Sequence, residues 1–291
     1  MRTSAIVELR QYTLRPGQRD ALIDLFEEHF VEGQEQAGMS VIGTFRDLDD
    51  DNRFVWLRGF ADMATRARSL AAFYGGPIWR ARRDDANSTM VDSDDVLLLR
   101  PARRSRGFAR SGRQPARDAP ANADRGVVEA TILNLSAPAD EKALAYFDGE
   151  IAPRIGRVGF PLALLVTEDT ANNFPALPVR EGEQVLVWLA YYPDRAAYEA
   201  ARRARADIAR AAAAAPGLVA APNVLRLAPT RRSHLSGAAC SILRSTSAHD
   251  QGAEMRAPVM SIEEAFLTYP EGMTGVSQNV EPGDPGACRR R

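Results

Sequence analysis

The feature that most limits what this chain can fold into is an internal echo. IVELRQY at 6–12 returns as VVEATIL at 127–133, with Val128 and Glu129 standing where Val7 and Glu8 stood, an offset of 121. VWLRGF at 55–60 returns as VWLAYY at 187–192, where Trp188 answers Trp56. DVLLLRPARRS at 95–105 returns as NVLRLAPTRRS at 223–233. A pattern repeated once across a chain of this length predicts two copies of one unit rather than a single large domain.

Each copy reads as strand, helix, strand, strand, helix, strand. In the first, a loosely alternating strand at 5–12 meets a turn at Pro16 and Gly17. A helix follows, with Leu22, Leu25, Phe26 and Phe30 on one face. Gly38 stops it, 39–47 and 53–60 form a hairpin across the Asp49–Asn52 turn, and helices at 64–74 and 78–87 precede a last strand at 95–101. Asp92, Asp94 and Asp95 read as a solvated turn before that strand. The second copy gives strands at 126–134, 159–168, 184–191 and 223–228, with helices at 139–156 and 194–215. The predicted fold class is α+β. Two ferredoxin-like β-α-β-β-α-β units, 1–102 and 126–232, pack sheet to sheet as an α/β barrel. An Arg/Pro-rich linker at 103–125 is predicted to be flexible, and the tail at 233–291, where arginine nearly vanishes before Cys288, to be disordered.

A four-stranded sheet with helices on one face must cover its other face, either with the second sheet of the same chain or with another chain. Period-two alternation puts Val7, Leu9, Val55 and Leu57 on one side, and Glu8, Arg10, Tyr12, Trp56 and Arg58 on the other. Thr44 and Arg46 of the second strand join the polar set. If the aliphatic side meets the helices, these seven residues line the space between the sheets. Three arginines, a carboxylate and two aromatics there suit a small anionic or aromatic ligand. They equally suit a wet interface between two sheets, with Glu8 and Arg10 paired as salt bridges. In the second copy Thr131, Leu133 and Ala190 replace Arg10, Tyr12 and Arg58, so any such site is asymmetric. A weaker candidate is FYGGPIW at 73–79. Gly75 and Gly76 before a proline-started helix either offer backbone N–H groups to an anion, with Trp79 alongside, or simply form a turn linking two helices while Trp79 packs.

Composition narrows the chemistry. The 37 basic residues include one lysine, Lys142, and the chain has three histidines and two cysteines. Schiff-base, thiolate and His-rich zinc chemistry therefore lack material, and neither a metal nor a cofactor is expected. A net charge of −1 argues against a nucleic-acid partner. No stretch reaches the ~18 apolar residues of a membrane span. A cytoplasmic protein is the simplest expectation, with homo-oligomer formation open.

VELRQYTLRPGQRDALIDLF, GTFRDLDDDNRFVWLRGF, FYGGPIW and DVLLLRP together resemble the NIPSNAP family over about residues 5–102, and 126–232 resembles a diverged copy. The resemblance implies a dimeric α/β-barrel fold close to small cofactor-independent monooxygenases, and it carries no agreed catalytic residues. Two classes of function stay open. One is a small-molecule binder or cofactor-free oxygenase; the other is a non-catalytic interaction module or scaffold.

Overall fold

A computed structural model describes residues 4–108, 115 and 124–236 of the chain. The rest of the expected linker and the expected tail from 237 onward lie outside the described residues. The first half runs β1 (Ile6–Leu14), α1 (Arg19–Leu25), a π-helical turn (Phe26–Phe30), α2 (Val31–Gln36), β2 (Ser40–Asp47), β3 (Arg53–Phe60), α3 (Met63–Tyr74), α4 (Pro77–Thr89) and β4 (Met90–Pro101). The second runs β5 (Val127–Leu135), α5 (Glu141–Tyr146), a π-helical turn (Phe147–Ile151), α6 (Ala152–Gly156), β6 (Phe160–Thr167), β7 (Gln184–Tyr192), α7 (Arg195–Ala200), α8 (Arg202–Ala213) and β8 (Asn223–Pro229).

Local chemistry explains the starts of these helices. Asp62 accepts a hydrogen bond from the Thr65 N–H at the head of α3, and Asp194 does the same for Ala197 at α7. Asp140 caps α5 through Ala143, and Pro77 opens α4 at a position where its missing N–H costs nothing. The two π-helical turns fall at matching points, Phe26 and Phe147 lying 121 positions apart like Glu8 and Glu129.

All eight strands pair antiparallel in the order β1-β3-β2-β8-β5-β7-β6-β4, which closes on itself within one chain. Short seams join the halves. β2 meets β8 at Phe45↔Pro229 through Asp47↔Leu227, and β4 meets β6 at Leu99↔Thr167 through Pro101↔Leu165. No helix among the described residues is long and apolar enough to cross a membrane.

Closure decides which face goes where. The barrel interior is packed with Val7, Leu9, Phe45, Val55, Leu57, Val128, Ile132, Leu165, Val187 and Leu227, all buried in one apolar cluster. An eight-stranded barrel is just wide enough for side chains to fill its interior, and here apolar side chains from both halves do so. The aliphatic faces therefore point at each other, and the polar face of β1 and β3 lies beneath the helices. The expected arrangement, with polar residues lining the space between the sheets, is thus inverted. The helices can cover charge because they bring hydrogen-bonding partners of their own, whereas the facing sheet presents mainly apolar side chains.

Three further expectations change. β4 begins at Met90, so Asp92, Asp94 and Asp95 sit inside a strand rather than in a turn. Phe108, in the expected linker, is buried in the barrel's apolar cluster. The chain stays docked past 232: Ser233 and Leu235 are buried, and Arg232 donates to the Glu27 carbonyl at 3.2 Å and to Glu32 at 2.5 Å. Removing the Phe108 ring leaves an apolar void, so Phe108→Ala should cost about 3–5 kcal/mol in urea denaturation. A flexible linker residue would cost almost nothing.

Candidate functional site

The site grows from the alternation of β1 and β3. Glu8 pairs with Arg58 across the strands, and Arg10 with Trp56. One face thus presents a carboxylate, two guanidiniums and an indole, with Tyr12 next along β1. α3 adds Arg66 from above, on the stripe Arg66, Ser69, Leu70, Phe73 that faces the sheet. Glu8, Arg10, Arg58 and Arg66 are all essentially inaccessible to solvent.

Glu8 is the hub. Its Oε2 accepts from Arg10 at 2.7 Å and from Arg58 Nε at 2.8 Å, while Oε1 accepts from Arg66 Nε at 2.6 Å. Arg10 Nε donates onward to the Tyr12 hydroxyl at 3.1 Å, and Arg58 donates to the Tyr74 hydroxyl at 3.3 Å. The guanidinium of Arg58 lies 5.1 Å from the Trp56 ring centre and that of Arg10 5.7 Å from it. Burial alone would raise the Glu8 carboxyl, but Arg58, Arg10 and Arg66 outweigh it and hold it well below the carboxylate range. Burial pushes the Tyr12 hydroxyl up, so Tyr12 is a neutral phenol at pH 7.

The second half closes the roof. The segment between β6 and β7 reaches across, and Asn172 and Asn173 accept from Arg66 at 3.0 and 2.8 Å. Asn173 also donates to the Met63 carbonyl, and Phe174, Leu177 and Val179 pack on the first half's helix-side core. Arg180 anchors the far end on Asp95 at 3.2 Å.

Of the residues singled out from sequence, Glu8, Arg10, Tyr12, Trp56 and Arg58 are brought together. Thr44 is buried on the same side opposite Trp56, but its hydroxyl is taken by Thr230 at 2.6 Å. Arg46 is turned outward onto Asp20 at 2.7 Å. Gly75 and Gly76 do not offer free N–H groups. Theirs donate to Ala71 and Phe73 carbonyls, and a Cβ at either glycine would strike a helix carbonyl at 2.8 or 2.7 Å. They are a tight turn between α3 and α4. Trp79 packs on Tyr74, ring centres 4.8 Å apart. Arg66, Tyr74, Asn172 and Asn173 were missed. Tyr74 alone left a trace, lying inside the FYGGPIW segment that was singled out for its glycines and Trp79.

The second half keeps the frame and changes the occupants. Glu129 faces Ala190 instead of an arginine, and Thr131 faces Trp188. Tyr198 of α7 donates to Glu129 at 2.8 Å, and Arg205 of α8 contacts the same oxygen at 3.3 Å. Among the described residues no group of His, Cys, Asp and Glu is arranged to hold a metal.

Glu8→Gln removes the anion that three buried guanidiniums share. It should cost about 3–5 kcal/mol of stability at pH 7. Because folding lowers the Glu8 pKa, its contribution is full above the unfolded value of roughly 4.3 and fades as pH falls toward the lower folded value. Denaturation followed from pH 7 to pH 3 should show wild-type stability dropping below about pH 5. Glu8→Gln should lack that component of the drop.

The family model described as NIPSNAP matches residues 7–106. No curated protein matches this chain. Among solved structures, a candidate monooxygenase from Fusobacterium nucleatum is similar over 81% of this chain and 97% of its own, at 11% identity and a TM-score of 0.51. That likeness is one of fold, and it spans both halves of the barrel. An uncharacterised NIPSNAP-like domain protein from Burkholderia xenovorans aligns with 37% of this chain and 94% of its own at 28% identity, TM-score 0.34. A NIPSNAP family protein from Agrobacterium tumefaciens aligns with 33% and 85% at 23% identity, TM-score 0.31. The segment 7–106, which carries β1 to β4 and the charged residues gathered around Glu8, is a NIPSNAP domain.

Proposed function

We propose that this protein binds a small organic anion at the guanidinium cluster of its first half, beneath the helices rather than between the sheets. Charge carries the reading. Arg10, Arg58 and Arg66 are buried around the single carboxylate of Glu8, which leaves two positive charges in excess away from water. An uncompensated buried charge is costly, and an anionic guest would remove that cost. Donors also remain to be used: Arg66 Nη2 and the Trp56 indole N–H are buried without an acceptor among the described residues. Tyr12, Trp56, Phe60 and Tyr74 around the cations suit a planar guest, so a carboxylate, phenolate or enolate on a conjugated skeleton is the class we favour.

The enzyme version of this reading is cofactor-independent oxygenation, in which the bound anion itself supplies electrons to O2. The name of the Fusobacterium protein makes oxygen consumption worth measuring alongside binding. The same reading treats the halves as tandem ferredoxin-like units, the second a diverged copy. Strand orders β4-β1-β3-β2 and β8-β5-β7-β6, and the matching π-helical turns, support it.

Benzoate is a suitable first probe. It should raise the melting temperature of the wild type in a saturable way. Arg66→Met should stay folded, because Glu8 keeps two arginine partners, and should lose most of that shift. An equal shift in both proteins, or none in the wild type, overturns the anion site and favours a barrel that serves as a scaffold.

A further inference from the structure

A cavity of about 250 Å³ opens in the second half, on the sheet face beneath α8. It lies at the register position where the first half gathers its charged side chains. The strand registers make the comparison exact in kind: Glu129 stands for Glu8, Thr131 for Arg10, Ala190 for Arg58 and Trp188 for Trp56. Two arginines have become a threonine and an alanine. Above them α8 turns small side chains, Ala206, Ala209 and Ala212, toward the opening. The volume is just below the ~300–1,000 Å³ typical of small-molecule pockets, which suits a compact guest.

The lining has a direction. At the floor Glu129 is buried, and both of its hydrogen bonds among the described residues, from Tyr198 and Arg205, end on Oε2. Oε1 keeps its lone pairs for a donor. Thr131 also lines the cavity, and Trp188 and Ile208 supply apolar walls. At the mouth, Arg202 is exposed and lines the opening. Arg205, by contrast, is committed, lying over the Tyr198 ring at 3.7 Å and donating to its hydroxyl at 2.7 Å.

We infer that this cavity is a second ligand site, built for a hydroxyaryl carboxylic acid. The hydroxyl donates to Glu129 Oε1, the ring lies against Trp188 and Ile208, and the carboxylate meets Arg202 at the mouth. A hydroxyl donor satisfies the free carboxylate oxygen without adding charge at the floor. A carboxylate at the outer end pairs with a cation while keeping contact with water. The site does not depend on the guanidinium cluster of the first half.

Titration calorimetry on the full chain tests it, with 4-hydroxyphenylacetate as probe and phenol as its anion-free control. Ala209 and Arg202 are both exposed, so Ala209→Trp and Arg202→Glu should melt like the wild type. The wild type should show a saturable event with the carboxylate probe that persists in Arg66→Met and disappears in Ala209→Trp. Arg202→Glu should weaken that event on the order of tenfold and leave phenol binding unchanged. No saturable event in the wild type overturns the site. So do binding untouched by either substitution, and an Arg202→Glu effect equal for both probes.

Discussion

Everything in this protein follows from a barrel that closes within one chain. Eight strands sealed at β2–β8 and β4–β6 enclose an interior packed with apolar side chains. Val7, Leu9, Val55 and Leu57 of one half meet Val128, Ile132, Val187 and Leu227 of the other there. Once the apolar faces are spent on each other, the alternate residues of the same strands have to be accommodated under helices. That requirement places Glu8, Arg10 and Arg58 where α3 can add Arg66 and Tyr74. The charged centre is thus a by-product of closure before it is anything else.

The two halves answer that requirement differently. The first packs its sheet-helix layer with ions, aromatic rings and a roof lent by the second. The second reduces the ionic set to Glu129 and Arg205, with the Tyr198 hydroxyl between them, and leaves space beside them. Three buried guanidiniums are tolerable only while they share an anion, which makes the first half sensitive to loss of Glu8 itself. Ala190 and Thr131 lift that restriction in the second.

Much of the architecture was legible in the chain. Period-two alternation grouped Glu8, Arg10, Tyr12, Trp56 and Arg58 on one side, and they do share one side. The repeat of Glu129 and Trp188 pointed to a second half of the same order. What alternation cannot say is which side faces inward, because that depends on barrel closure and not on any one strand. The reading therefore inverted the faces. Thr44 and Arg46 share that side but go to local partners, Thr230 and Asp20, whose proximity only the folded chain creates. Phe108 looked like a lone aromatic in a polar tether, since no local pattern marks a side chain that plugs a distant core. Gly75 and Gly76 form the turn linking two helices, the plainer of their two readings, and their N–H groups go to helix carbonyls rather than to an anion.

The segment between β6 and β7 has a consequence of another kind. Its Asn172 and Asn173 shield Arg66, whereas the equivalent turn between β2 and β3 is short and is held to β8 through Asp49 and Arg226. The second half thus covers the charged residues of the first, while the first half's Leu48 and Ala102 pack only on the apolar core of the second. A NIPSNAP domain cut out at residue 106 would keep all its own charged residues and yet expose them to solvent on the Arg66 side. Covalent fusion of the halves gives the first its cover at a fixed local concentration, without any assembly step, so the shield cannot be diluted away.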